Sequence, residues 1–471
     1  MTSQPRLQRQ TIPFYRNVRV LAVLAQILFI GLVLALGWLL WLTMQHNLQR
    51  QGIPISFAFL HQPAGFGIAE GLPFDPAQSY LTAFGVGIVN TLRAAVTGIM
   101  LATLLGIAIG VARLSRNWLL ERCATAYVET FRNVPLLLWL IFTYAAIRET
   151  LPRVQEALAP LGGAVLVSNR GLALMWPQSS VTFAAFWPWL LIGAGCGVGL
   201  GWWIRRVASR RGEVRTARGM VSGLAACVVL WTIGFMYAWG SARLPATTTI
   251  DPEAEVVFLD LNRNGTQEAH EPPVAGVRVT ASGHEGTVTD LTLADGSFRL
   301  PSDPPAGQQF TLSPPPPFVW SVPRVQGFNY RGGLVLSPEF TALLCGLVLY
   351  TAAFIAEIVR AGILAVARGQ REAAKALGFS DWHTFTLIIF PQALRVIIPP
   401  LINQYLNLTK NSSLAIAVGY PDLFSIGLTI NNHTGQAIPF VVMIMVTYLS
   451  MSLLTSWVLN LVNTRMALKT R

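Results

Sequence analysis

Apolar residues run unbroken along this chain for stretches that only a bilayer requires. A hydrocarbon core about 30 Å thick takes roughly 20 apolar residues in a helix. Eight spans are predicted: 18–44, 84–112, 125–147, 181–204, 219–240, 338–364, 385–409 and 438–463. The first is too long for a signal-peptide core and no A-x-A site follows it, so it reads as retained. Arg395 and Pro399-Pro400 interrupt the seventh. A proline pair lacks two N–H donors and is expected to kink or unwind that helix in mid-membrane.

Residues 250–312 break the pattern. Alternation typical of strands replaces the apolar runs in Glu255 to Leu259, Gly276 to Thr280 and Ser297 to Leu300, with turn signals such as Asp295-Gly296 between them. The segment holds ten acidic residues against three basic ones in a chain whose net charge is +12. It reads as a small β domain, and the proline run from Ser313 to Pro317 as a stiff connector to the sixth span. The implied divisions are 1–83 (first span and outer segment), 84–249 (spans two to five), 250–312 (β insert), 313–337 (connector) and 338–471 (spans six to eight).

Composition agrees with a membrane protein. Of 471 residues, 53% are hydrophobic and 12% charged, about half the charged fraction of a soluble domain. The basic residues sit in short clusters between spans rather than along one stripe, which argues for topology and against nucleic acid as a partner. Segments 1–17, 113–124, 205–218, 365–384 and 464–471 carry more than half of the 34 Lys and Arg residues. The rule that basic loops stay inside places both termini in the cytoplasm and the insert outside it. Cys123, Cys196, Cys227 and Cys345 form no CxxC pair, so neither a disulfide framework nor a zinc site is expected.

Within the insert, Asp260, Asn262, Asn264, Gly265, Glu268 and Glu271 follow the D-x-[DN]-x-[DN]-G-x5-E pattern. Alternating hard oxygen ligands closed by a carboxylate suit Ca2+, which makes calcium the one cofactor to expect. The flanks are strands, so this is no EF-hand. The loop and the stretch Asp290 to Leu300 resemble the calcium-binding B-repeats of bacterial surface adhesins, which are immunoglobulin-like sandwiches. The competing reading is a polar hairpin without an ion.

After the sixth span comes Glu372-Ala373-Ala374, then Gly378, Ile388 and Pro391. Arg371 to Leu377 favours a helix, Gly378 a C-terminal stop, and Ser380 or Asp381 the cap of a second helix towards Pro391. An ordinary helical hairpin would satisfy the same residues. The spacing resembles the EAA signature of ABC importer permeases, EAA-x3-G-x9-I-x-L-P, with Phe390 in place of Leu. Further matches are Tyr127 to Pro135, Gly332 to Phe340 and Tyr405 to Leu414. Together these are similar to the polar-amino-acid permeases of the histidine/glutamine type, and most to the larger permease subunits of general L-amino-acid and glutamate/glutamine/aspartate importers. The resemblance implies an all-α bacterial inner-membrane permease with a type I importer core and a small β-sandwich-like periplasmic insert. It also implies a coupling elbow that docks on separate ATPase subunits, a related second permease chain, a periplasmic amino-acid-binding protein, and alternating access. The insert lies outside the resemblance.

The chain holds only Lys375, Lys410 and Lys469, none after a glycine, so it contains no GxxxxGK[ST] phosphate loop. ATP hydrolysis is therefore expected on another chain, and the protein itself is not expected to be an enzyme. Ionisable residues at membrane depth are functional candidates. Glu129 with Arg132, and Glu357 with Arg360, are spaced to pair on one helix face. Arg93 is placed to snorkel or face the pore. Lys410, Asn411 and Ser412 fall beyond the seventh span, where they suit either a carboxylate-bearing substrate or a plain loop. Glu129 suits gating or helix packing. Two rival classes are an ion-coupled secondary transporter, which needs a deep carboxylate, and an adhesion or signalling protein with the insert as its working part.

Overall fold

The computed structural model describes residues 18–50, 56–180, 182–210, 216–244, 247–251, 255–268, 270–274, 276–283, 286–292, 296–298, 309–314 and 316–466. The first two apolar runs fold as the long helices α1 (Val18–Arg50) and α2 (Tyr80–Ala112). The third predicted span is broken: α3 (Trp118–Asn133) and α4 (Leu136–Thr150) meet at a bend of 107°. Pro135 is the cause, because its ring bars the preceding residue from helical conformation, and Val134 is extended at φ −103°, ψ 132°. Asn117 caps α3, its side-chain oxygen accepting from the N–H groups of Leu119 and Leu120. Among the described residues seven helices are long and apolar enough to cross a membrane, and the bent pair gives an eighth span if it counts as one.

Three strands absent from the sequence reading follow: β1 (Val165–Ser168), β2 (Gly171–Leu174) and β3 (Trp176–Ser179). The hairpin α5 (Phe183–Arg210) and α6 (Thr216–Gly240) comes next. Its helices approach closely where Gly193 meets Trp231, Gly197 meets Cys227 and Gly234 meets Trp189. Small residues at such crossings let membrane helices gain dispersion contact, the main attraction available in lipid.

The insert folds as β4 (Thr248–Asp251), β5 (Val256–Leu259), β6 (Arg278–Gly283), β7 (Gly286–Leu291) and β8 (Gln309–Ser313). β4 pairs with β5, and β6 lies between β7 and β8. Val257, Val274, Val277, Val279 and Phe298 form its apolar core. The chain returns through β9 (Phe318–Ser321), β10 (Arg324–Gln326), β11 (Asn329–Arg331) and β12 (Leu334–Leu336). β9 pairs with β3, and β12 joins β2 in the sheet β1-β2-β12. The region 313–337 is thus mostly strand rather than a proline spacer, and the carbonyls of Pro316 and Pro317 accept hydrogen bonds from Ser180.

The last third comprises α7 (Pro338–Leu364), α8 (Arg368–Ala376), the single turn α9 (Asp381–His383), a π-helical turn Thr384–Ile389, and α10 (Phe390–Asn411). A 3-10 segment Ser412–Val418, α11 (Leu423–Thr434) and α12 (Ala437–Met466) complete it. α10 continues through Pro399 and Pro400 without unwinding. Each proline deletes only the bond to the carbonyl four residues back, and the remaining ladder holds the helix. The irregular turn lies earlier, at Thr384–Ile389.

These elements form two compact units. One is built from the described parts of Met1–Ala95, Ile398–Ile416 and Pro421–Arg471. Its core packs Phe59, Tyr80, Phe84, Leu423, Ile426 and Ile430. The other comprises the described parts of Val96–Ile397 with Ala417–Tyr420. There α7 is the central helix: Gly106 and Gly110 of α2 press on Ile355, Ala356 and Val359, and Gly346 meets Leu140 of α4.

Candidate functional site

The loop after α7 is an elbow with a defined stop. α8 ends at Ala376, and Gly378 takes the left-handed conformation (φ 79°). There its N–H bonds the Lys375 carbonyl at 3.0 Å, while the Phe379 N–H reaches Ala374 O at 3.1 Å. Ser380 caps α9 by accepting from the His383 N–H at 3.3 Å. Lys375 and Asp381 bridge the corner at 3.4 Å. Of the signature residues, Ala374 is buried, Ile388 half-buried, and Glu372, Ala373, Gly378 and Pro391 exposed. Around them Leu377 is 77% exposed, Trp382 71% and Leu387 61%. One alanine seats the elbow and the apolar remainder faces outward. Such a surface suits docking to another protein.

A second cluster lies about two turns before the Leu364 end of α7. Glu357 Oε1 accepts from Arg360 Nη2 at 2.6 Å, and Oε2 pairs with Arg113 just past α2. Arg132 of α3 approaches the same oxygen at 3.9 Å and lies over the Phe354 ring at 5.2 Å. The Glu357–Arg360 pair therefore forms. The expected Glu129–Arg132 pair does not: Arg132 turns to α7, and Glu129 is exposed with no ion pair among the described residues.

In the other unit, Lys410 and Asn411 are the last residues of α10 and Ser412 begins the 3-10 segment. They thus continue the seventh span, Asp381–Val418, rather than lying beyond it. Lys410 is exposed, Asn411 half-buried and Ser412 fully buried, its hydroxyl donating to Thr409 O at 2.7 Å. Arg93 pairs with Glu70 at 3.4 Å instead of snorkelling.

One site escaped the sequence reading. Asp422 is wholly buried and caps α11, its Oδ1 accepting from the Ser425 N–H at 2.8 Å and Oδ2 from the Tyr448 hydroxyl at 3.3 Å. Beside it Thr91 accepts from the Leu423 N–H at 2.9 Å. Asn90 donates to the carbonyls of Glu70 and Pro421 at 3.0 and 2.8 Å. Burial, opposed by these hydrogen bonds, pushes the Asp422 carboxyl up to about 7. The available signal was Tyr-Pro-Asp ahead of an apolar run, a helix-start pattern.

In the insert, Asp260 and Glu271 are 4% and 3% exposed. Asp260 accepts from the N–H groups of Asn264 (3.1 Å) and Gly265 (2.9 Å), and Glu271 from those of Leu261 (2.8 Å) and Glu268 (3.1 Å). The Asn262 and Asn264 side-chain amides both donate to Glu268. Arg263 takes a positive φ of 60° and Gly265 of 78°. No group of three or more His, Cys, Asp or Glu side chains is placed to hold a metal ion among the described residues. Loop amides, not convergent carboxylates, close this turn.

Residues 315–468 match the family described as binding-protein-dependent transport system inner membrane component. The putative amino-acid ABC transporter permease protein YhdX of Escherichia coli is 38% identical over 97% of this chain and 97% of its own length. The general L-amino acid transport system permease protein AapQ of Rhizobium johnstonii is 36% identical over 98% of this chain and 94% of its own. The glutamate/glutamine/aspartate/asparagine transport system permease protein BztB of Rhodobacter capsulatus is 37% identical, covering 93% and 92%. With similarity running the whole length of these relatives, the chain belongs to the permease subunits of amino-acid ABC transporters.

Proposed function

We propose that this chain is one permease subunit of an ATP-driven importer of polar L-amino acids. A periplasmic binding protein delivers the substrate, and a related second permease chain completes the path. The observation that carries the reading is the elbow itself: a short helix seated by Ala374, stopped at Gly378, with Leu377 and Trp382 facing outward. In this reading ATPase closure pushes α8, and because α8 is packed on the π-helical turn leading into α10, the push reaches the membrane helices. The termini and the elbow lie in the cytoplasm and β4–β8 on the periplasmic side, as the basic loops favour. Lys410, Asn411, Ser412 and Glu129 are the candidate substrate-path residues. Exposed Lys410 is the one suited to a carboxylate.

The test is amino-acid-stimulated ATP hydrolysis in liposomes holding the full transporter, with and without Glu372→Ala plus Gly378→Pro. Loss of stimulation, or of ATPase docking, is expected. Uptake driven by an ion gradient without ATP would overturn the reading. Reporter fusions at the two termini test their orientation. Pull-down of a related permease, against self-association of this chain alone, tests the heterodimer.

The sandwich-like character of the insert belongs to the same proposal, supported by two sheets that share one apolar core. So does calcium at Asp260–Glu271. Its support is two buried carboxylates with no ion pair among the described residues, which a cation would compensate. Bound there, calcium would supply charge compensation and stiffen the loop, and Asp260, Asn262, Asn264, Glu268 and Glu271 would have to turn from their present amide partners to hold it. A rise in the full chain's thermal midpoint with calcium over chelator, abolished by Asp260→Asn, is expected. Equal midpoints would leave the amide-closed hairpin as the complete description.

A further inference from the structure

The cluster around Glu357 is not electrically balanced. Arg113, just past α2, Arg132 of α3 and Arg360 of α7 bring three positive charges to a single carboxylate. Other acids on these helices do little to neutralise them. Glu121 reaches Arg113 only through Thr125, at 3.5 and 3.4 Å, and pairs with Arg122 at 3.8 Å. Glu129 makes no ion pair among the described residues.

The excess charge is held in place rather than waving in solvent. The side chains of Arg113, Arg360 and Arg132 are 13%, 31% and 40% exposed, and Arg132 is braced on the Phe354 ring. Each guanidinium offers five N–H donors. Two oxygens of one carboxylate leave most of them unused by protein, yet open enough to meet a ligand.

Depth narrows the ligand. α7 has 27 residues, so it is about 40 Å long and matches a bilayer with its headgroup layers. Glu357 is about 10 Å from its Leu364 end at 1.5 Å per residue, at the level where lipid phosphates meet the acyl region. We propose that the Arg113–Arg132–Arg360 cluster binds the phosphate of an anionic phospholipid in the leaflet at that end of α7. Guanidinium forks pair bidentately with phosphate oxygens, and Glu357 orients the forks while competing with the lipid for them.

The experiment is native mass spectrometry of the full chain in neutral detergent, with phosphatidylglycerol, phosphatidylcholine and inorganic phosphate as separate probes. Phosphatidylglycerol is expected to bind in preference to phosphatidylcholine. Arg132→Gln should weaken it about fivefold, the effect of one arginine near a lipid surface, and Arg132→Lys, which keeps the charge but not the fork, should fall between wild type and Arg132→Gln. Glu357→Gln should tighten it, because the competing carboxylate is gone. A merely structural cluster does not produce that gain. If Glu357→Gln does not fold, Arg360→Gln against Arg360→Lys serves in its place. Equal phosphatidylglycerol binding by the wild type and the neutral variants overturns the proposal. Inorganic phosphate that displaces the lipid at equal concentration overturns the lipid assignment in favour of a free anion.

Discussion

Ser179 stands directly opposite Phe318 in the antiparallel pair β3–β9, so the two ends of segment 180–317 meet across one ladder. Everything between them, α5, α6 and the β insert, is a closed excursion from this strand pair. The family match begins at residue 315, within the last three residues of this excursion. Loop closure depends only weakly on loop length, so the β3–β9 pair does not need the excursion to hold its ends together.

Excision should therefore be tolerated. Replacing 180–317 by Asn-Gly, whose backbone suits a two-residue hairpin turn, is expected to keep β3 and β9 in register and β12 on β2. A chain still inserted in the membrane and still bound to its ATPase in a pull-down is the expected result. Loss of membrane insertion would show that the hairpin α5–α6 is part of the folding core.

The packing of α2 on α7 gives a second prediction. A Cβ at Gly106 would lie 2.6 Å from Ile355 Cβ and 3.0 Å from the Ala352 carbonyl. The neighbour includes backbone and cannot swing away. Gly106→Leu should destabilise by about 1–3 kcal/mol, the range for overpacked cores, and lower the thermal midpoint of the purified chain. Gly195→Ala, where nothing lies within 4 Å, should leave it unchanged.

Asp422 makes stability depend on pH. Its folded carboxyl is raised by burial to about 7 from 3.8, so the folded state holds a proton that the unfolded state releases. Between those values the folded state binds more protons, and stability falls as pH rises. The thermal midpoint should be higher at pH 5 than at pH 8. Asp422→Asn, which keeps a cap oxygen for Ser425, should flatten that slope. A wild-type midpoint unchanged across this range would contradict it.

The membrane architecture was legible because hydrocarbon imposes one length and one polarity on every span. The elbow was legible because it is local: a helix, a glycine stop and a cap lie within the stretch from Arg368 to Asp381. What the pattern hid depends on distant partners. β2 and β3 pair with β12 and β9, more than a hundred residues later, β1 only adds to β2, and four-residue strands carry little periodicity of their own. Arg132 looked like the partner of Glu129 because helical spacing weighs only neighbours on one helix. Because α3 packs on α7, Arg132 reaches Glu357 and Phe354 instead. Asp422 passed unnoticed for the same reason, since Tyr448 and Thr91 come from other elements.

The elbow supplies the last prediction, and it separates shape from contact. Gly378 has φ 79°, a region that costs an ordinary L residue about 1–2 kcal/mol and that Asn tolerates better than β-branched residues. Gly378→Val should loosen the turn that fixes α8 against α9, whereas Gly378→Asn should keep it. Leu377 is exposed and contributes nothing to that turn beyond its backbone, so Leu377→Glu should leave the thermal midpoint and membrane level of the chain as they are. Both Gly378→Val and Leu377→Glu are expected to release the ATPase from membranes in a flotation assay, the first by misplacing the docking face and the second by charging it. Full retention of the ATPase by Leu377→Glu would mean that the outward apolar face of the elbow is not where the motor subunit binds.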